Sequence, residues 1–323
     1  RVHLAQQRRS SESGAATLRI LLDALEQRGI PTVPIKGPAL AQCLYGDLSG
    51  RSFRDLDFLI PHQYREQTLA YLISKGYRET IPELTPAQLA HYRRYGGQAI
   101  LFGTGLPVEP HWEFAPRTLA IDLDYPALWS RVHRVNLAGW STRALAAEDQ
   151  VILLCLHGGK EGWTRLKWVL DLALYLERTP AIDWEVVENR ARAQGVLRLC
   201  LLGLALCERL FGLSPPRRMS DSLTADPKIP TLIAMVDDLL WRKDSIGPSI
   251  HHMNRFHWML RERSKDKLLY LVRSLALPHF VHFENLRIPD VLFPLYYLFT
   301  PIHDVLLMPA WHGLKRVQSK LRR

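Results

Sequence analysis

The run Asp55-Leu56-Asp57-Phe58-Leu59-Ile60 constrains this chain of 323 residues more than any other stretch. With a period of two it reads as a short strand stopped by Pro61, with Asp55 and Asp57 on one face and Leu56 and Phe58 on a core-facing other. Two carboxylates side by side on a strand repel unless something positive sits between them. A divalent cation is the usual solution. Carboxylate oxygens suit Mg²⁺ or Mn²⁺, whose remaining ligands come from water and substrate phosphates. Because an Asp-x-Asp pair also arises by chance on a solvated edge strand, its neighbours carry the argument. Upstream, Val33-Pro34-Ile35 reads as a strand ending in Lys36-Gly37-Pro38, a cation and a tight turn that lead into a helix with Pro38 in its first turn. A glycine turn at a helix N-terminus is a natural phosphate cradle. Arg51 and Arg54, just before the aspartates, offer guanidinium forks for phosphate oxygens.

This order (Lys36-Gly37, a helix with Leu44-Tyr45-Gly46, an arginine, then Asp-x-Asp before apolar residues) resembles the uncharacterised bacterial nucleotidyltransferases of the DNA polymerase β-like superfamily. The resemblance implies a glycine turn after a first strand, the acidic pair on the next strand and a third carboxylate on a later one. Lys36-Gly37 stands where most relatives carry Gly-Ser, a departure typical of this subfamily that leaves the usual serine contact to the phosphates in question. Residues 98–102 and 106–112 read as a hairpin around Gly103-Thr104-Gly105, with Glu109 and His111 on one face of its second strand. The resemblance puts the third carboxylate two residues before His-Trp, and Glu109 takes that place, although aspartate is the expected residue. His111 has three readings: it orients Glu109, contacts a phosphate, or fills a half-buried slot beside Trp112. Further on, His157-Gly158-Gly159-Lys160-x-x-Trp163-x-Arg165-Leu166-x-Trp168-x-x-Asp171 resembles the subfamily's second signature, in its helical half. There Lys160 and Arg165 would hold β- and γ-phosphates, with His157 beside them. Trp163 either stacks on a base or packs in the core with Trp168, and Asp171 pairs with Arg165 or Lys167.

Net charge is +10 and the isoelectric point is near 9.6, a balance that favours polyanionic partners. The surplus is scattered, apart from Arg8-Arg9 and a tail with Lys315, Arg316, Lys320, Arg322 and Arg323. Four cysteines without Cys-x-x-Cys spacing read as reduced core residues of a cytoplasmic protein. The chain opens Arg-Val-His, without an initiator Met, and turns apolar only at Leu18. A trimmed start and no signal peptide are therefore expected. No window has the length and purity of a transmembrane segment; the nearest, 291–310, holds three prolines, His303 and Asp304. A membrane-skimming role for that segment and the tail would need a clear amphipathic face, and the prolines argue against one.

Along the chain, 1–13 reads as frayed, and helices are predicted over 15–28, 39–45, 62–75, 85–95 (capped by Thr85) and 147–159, then onward from Gly162. Two more follow over 182–212, broken near Gly195, then a linker over 214–218 and a helical region over 228–275. His251, His252 and His257 match no metal-ligand spacing. Residues 289–309 read as short helices packed on the main body.

The expected fold class is α+β (mixed α/β): a polymerase β-like domain with a small mixed sheet, followed by a mainly α-helical C-terminal region. Residues 1–140 would be catalytic, 141–213 would complete the cleft, and 214–323 would form the C-terminal region with its basic tail. The resemblance implies transfer of an NMP from an NTP, ATP first among them, to an unknown acceptor with release of pyrophosphate. Asp55, Asp57 and Glu109 would hold Mg²⁺ or Mn²⁺, while Lys36, Gly37, Arg51, Arg54, His111, His157, Lys160 and Arg165 would serve the nucleotide. A sugar, a peptide natural product or a small molecule would accept the nucleotide, in polysaccharide or natural-product biosynthesis. The alternatives are toxin-like nucleotidylation of tRNA or protein, a non-catalytic nucleotide-binding protein, and a phosphotransferase that releases a nucleoside diphosphate.

Overall fold

The computed structural model describes residues 2–79, 81, 83–242 and 248–307; the basic tail lies outside the described residues. The first helix, α1 (Val2–Glu26), is longer than its apolar spacing predicted, so most of the segment expected to fray is helical. Two contacts explain the extension. Arg8 and Glu12 pair one turn apart at 2.9 Å. Gly14 lets the helix lie against the body, since a Cβ there would stand 2.9 Å from Leu106 and 3.2 Å from Phe53.

Strand β1 (Val33–Pro34), α2 (Gly37–Tyr45) and β2 (Leu56–Leu59) follow as the sequence predicted. The helix expected from His62 opens with a 3₁₀ turn, and α3 proper covers Arg65–Ser74. A two-residue strand that the pattern did not reveal, β3 (Arg78–Glu79), precedes α4 (Pro86–Gly96). Thr85 caps α4 in a reciprocal box with Gln88. Then β4 (Leu101–Phe102) and β5 (Val108–His111) form the expected hairpin. The sheet order is β1-β2-β5-β4-β3. Only the β2–β5 pair is parallel, so the sheet is small and mixed.

The period-two reading of β2 holds, but the strand is central and not a solvated edge. Leu56 and Phe58 join a core with Leu18, Leu22, Leu69 and Leu72 of α1 and α3. Leu59, on the alternate face, belongs to a larger core that continues into the helical half. Asp57 shares that face and is buried.

After α5 (Tyr125–Ser130), β6 (His133–Leu137) and β7 (Trp140–Ala144) make a hairpin absent from the sequence reading. Its turn uses Ala138 and Gly139, both at positive φ, with Asn136 Oδ1 accepting from the Gly139 N–H at 2.8 Å. Arg134 and Arg143 tie it to Glu26 at the end of α1.

The helical half comprises α6 (Ala147–Lys160), α7 (Leu166–Arg178), α8 (Trp184–Gln194) and α9 (Leu197–Phe211). Trp163 is fully buried, which excludes base stacking. Its indole fills the space that Gly158 leaves, where a Cβ would stand 2.4 Å from the ring. The paired glycines of the second signature thus let Trp163 and Leu199 of α9 sit directly on the α6 backbone. Cys155, Cys200 and Cys207 are buried thiols as expected, but Cys43 is exposed at the surface of α2.

Beyond a short connection come α10 (Arg217–Ala225), α11 (Ile229–Leu240), α12 (Ile250–Leu260) and α13 (Ser264–Ala276). His257 bonds the Lys160 carbonyl at 3.0 Å and ties α12 to the end of α6. Then α14 (Phe280–Asn285), a 3₁₀ stretch (Asp290–Leu295), α15 (Tyr296–Ile302) and a π turn (His303–Leu307) complete the described chain. This last region packs on the main body: Asp290 accepts from the Ala87 N–H at 3.1 Å, and Gln88 bonds Tyr296 Oη at 3.0 Å. His282, His303 and Asp304 lie close enough for a cation, yet they form a closed tie. His282 Nδ1 accepts from the His279 N–H at 2.8 Å, so its proton sits on Nε2 and is donated to Asp304.

Gly158→Ala should destabilise the protein by about 1–3 kcal/mol through overpacking against Trp163. Urea unfolding measures this, and unchanged stability would show that the indole is not locked there.

Candidate active site

The two signatures meet across a cavity of about 290 Å³. Lys36 in the turn between β1 and α2, Asp55 just before β2, Asp57 of β2 and Glu109 of β5 form its sheet wall. His157 and Lys160 of α6, with Arg165, Lys167 and Trp168 at the start of α7, form the opposite wall. The sheet wall ends in sequence at Glu109 and the helical wall begins at His157, so folding brings them together.

Parallel register places Asp57 directly beside Glu109 on the two central strands. Asp57, only 2% exposed, is compensated from two sides. Lys36 Nζ donates to its Oδ1 at 3.2 Å, and His111 Nε2 donates to the same oxygen at 2.8 Å. Burial alone would push the Asp57 carboxyl up, but Lys36 and His111 outweigh it and hold the group well below the usual carboxylate range. Of the three readings of His111, its direct bond is to Asp57; Glu109 stands farther off, at 3.9 Å. Burial pushes His111 down to about 4, so it is a neutral donor at physiological pH.

The other two carboxylates have no such compensation. Asp55 is pushed up by burial and by Asp57. Glu109 is raised to about 7 by burial, then by Asp57 and Asp55, against the opposing pull of Lys36 and Lys160. Gln98 Nε2 donates to Glu109 Oε2 at 2.9 Å and steadies it. Across the cavity the crowding is of the opposite sign. Lys160 is lowered by burial and then by Lys36, Lys167 by burial and then by Arg51 and Arg165. His157 is held neutral by burial and by Lys36 and Lys160.

Gly37 has φ +55°, and a Cβ on it would stand 3.1 Å from the Asp55 carbonyl, so the turn between β1 and α2 needs glycine. Arg51 lines the cavity, and its guanidinium has a second engagement that the sequence did not reveal. Its Nε and Nη2 grip the Asp171 carboxylate in a bidentate pair at 2.9 Å, with both side chains buried. Asp171 therefore pairs with Arg51, not with Arg165 or Lys167, and the Arg51 fork clamps the sheet half to α7. Arg54 is exposed and does not line the cavity. Arg165 lies over the Trp168 ring, 5.7 Å from its centroid. Sequence reasoning assigned no site role to Gln98, Glu161, Thr164 or Lys167, all of which line the cavity. Lys167 stood inside the second signature, which was the signal available for it. Gln98 carried no local signal, because only the fold of β5 brings Glu109 to it.

Residues 1–212 match the family described as uncharacterised nucleotidyltransferases. The chain belongs to that family. This nucleotidyltransferase is thus a transferase enzyme, as its paired signatures implied. No curated protein sequence matches it. Among solved structures it is similar to the solution structure of the antibiotic-resistance factor ANT(2'')-Ia, at 16% identity and a TM-score of 0.39, over 56% of this chain and 92% of that one. A likeness that slight carries no argument about this nucleotidyltransferase.

The residues present fit a divalent cation. Asp57 and Glu109 each offer a carboxylate oxygen within 4.8 Å of the other, and His111, whose Nε2 proton goes to Asp57, steadies the pair. Asp55 lines the same cavity beside them. Glu109 is raised first by burial and then by Asp57 and Asp55, and a cation beside it would favour its charged form.

Two outcomes follow from this geometry. Arg51→Ala should cost about 3–5 kcal/mol in urea unfolding, because it strands Asp171 as a buried charge. Unchanged stability with weakened nucleotide binding would instead return Arg51 to the phosphates. For Glu109 the folded group binds its proton more tightly than the unfolded one. Its contribution to stability is complete below about 4.5 and is lost as the pH rises through about 7. With a chelator present, Glu109→Gln should therefore raise stability at about pH 8 by something on the order of 1–3 kcal/mol and leave it unchanged near pH 4. Equal stabilities at both values would refute the raised proton affinity of the buried Glu109.

Proposed function

We propose that this protein is a metal-dependent nucleotidyltransferase that moves an NMP from an NTP, ATP first among them, to a hydroxyl or phosphate of an acceptor. The observation that carries the reading is the pairing of Asp57 with Glu109 on adjacent central strands, facing lysines on the opposite wall. Asp55, Asp57 and Glu109 would hold Mg²⁺ or Mn²⁺, which when bound neutralises charge on the triphosphate and activates the acceptor oxygen.

The chain's own groups do the rest. Lys36 (paired with Asp57) on one side, and Lys160 (paired with Glu161), Lys167 and Arg165 on the other, bracket a space whose crowded cations suit a polyphosphate. The Gly37 turn opens α2 beside it. His111 fixes Asp57, Gln98 fixes Glu109, and neutral His157 offers a ring nitrogen without adding charge. The acceptor oxygen bonds to the α-phosphorus as the bond to the bridging oxygen breaks, and pyrophosphate leaves with that electron pair. The acceptor's proton passes to solvent.

On this reading residues 1–140 are the catalytic part, 141–213 complete the cleft, and 214–323 form a helical addition with a basic tail. Buried free thiols and the need for an NTP support a cytoplasmic setting. A sugar, a peptide natural product or a small molecule fits the polar cavity as acceptor. The net charge of +10 favours tRNA as the alternative.

The test is metal-dependent pyrophosphate release with each of the four NTPs. Asp55→Ala should abolish it and leave the melting temperature nearly unchanged, since Asp55 is a repelled carboxylate and not a packed one. Release of a nucleoside diphosphate would make the enzyme a phosphotransferase, and binding without turnover would make it a nucleotide-binding protein.

A further inference from the structure

Most large apolar side chains left exposed in the described chain sit after residue 267, beyond the part that matches the family. They are ordered. On α13, Leu268, Leu271, Val272 and Leu275 recur at i, i+3, i+4 and i+7 and are all exposed, while Tyr270 on the opposite side is buried. Along 291–305, Val291, Leu295, Leu298, Ile302 and Val305 recur at alternating steps of four and three. Val291 is 84% and Leu298 66% exposed. Tyr296, Thr300 and His303 face inward between them. α13 and α15 pack against each other, so two neighbouring helices each leave an apolar stripe uncovered. The prolines do not break the second stripe: Pro294 lies in the 3₁₀ stretch and Pro301 in the last turn of α15.

The charges around this surface are asymmetric. Asp266 is buried against Arg263, Asp290 accepts from the Ala87 N–H, and Asp304 bonds His282 and His303. Lys265 and Arg287 are exposed, against one exposed carboxylate of the same region, Glu284. Residues 305–323 contain Lys315, Arg316, Lys320, Arg322 and Arg323 and no acidic residue. Apolar stripes in a chain with a positive surplus are what an anionic bilayer surface binds, the stripes entering the headgroup–acyl boundary and cations resting on lipid phosphates. A second copy of the chain is a poorer occupant, because it would bring the same positive charge to the contact.

We infer that the α13–α15 face docks this enzyme on an anionic lipid surface, toward which the chain's positive surplus draws it. No described helix is long and apolar enough to cross a membrane, so the contact is peripheral. It rests on residues outside the cavity and is independent of the transfer reaction.

The experiment is sedimentation of the full chain with vesicles of phosphatidylcholine containing phosphatidylglycerol, against phosphatidylcholine alone, at low and high salt. The protein should partition onto the anionic vesicles, and added salt should weaken that binding. Leu295→Glu with Leu298→Glu should reduce partitioning at least about tenfold while circular dichroism shows an unchanged fold. Removal of residues 308–323 should reduce the preference for anionic lipid. Three results would overturn the inference: no partitioning at low salt, partitioning of the Glu variant equal to that of the unaltered protein, or a dimer in vesicle-free solution that the Glu variant dissociates.

Discussion

Asp57 is a buried anion on a central strand, and its compensation organises the sheet half of the cavity. A carboxylate in that position is tolerable only with partners. Lys36 reaches it from the β1–α2 turn, and His111 from the far end of the paired strand. Each partner fixes something else in turn. Lys36 brings the Gly37 turn and the start of α2 to the cavity, and His111 sets how far along β5 Glu109 must lie. Glu109 and Asp55 then stand near Asp57 without equal compensation, and that imbalance makes the place receptive to a cation.

The opposite wall depends on packing. Gly158 and Gly159 remove side chains where Trp163 and Leu199 press on α6, which orients His157 and Lys160 toward the carboxylates. The Arg51–Asp171 clamp joins the loop before β2 to α7, so the cationic start of α7 cannot drift from the acidic strands. A residue that looked like a phosphate ligand thus contributes by holding two walls at a working distance. The clamp is buried, and Arg51 also lines the cavity, where its charge bears on Lys167.

The C-terminal helices serve a different physical end. Their inward face is polar as well as aromatic, with Asp290, Tyr296 and the His282–Asp304 tie linking them to α4 and to each other. With those contacts directed inward, the apolar stripes of α13 and 291–305 are left at the surface. They lie beyond the family-matching part, which already contains every residue lining the cavity.

Local pattern was enough to determine the alternation in β2, the Thr85 cap, the Gly195 break between α8 and α9, and the two signatures, because propensity, capping and period two or 3.6 act within a few residues. Pattern singled out Asp55, Asp57 and Lys36, while the family resemblance pointed to Glu109, His157 and Lys160, and all six line the cavity. Tertiary structure alone decided which charges meet. Arg51 and Asp171 are 120 positions apart, and Gln98 finds Glu109 only when β5 folds beside it. The length of α1 and the β6–β7 hairpin were likewise set by distant partners, Phe53 and Leu106 for one and Glu26 for the other. Pairing energy depends on distance and burial, and neither is written in the spacing of residues along the chain.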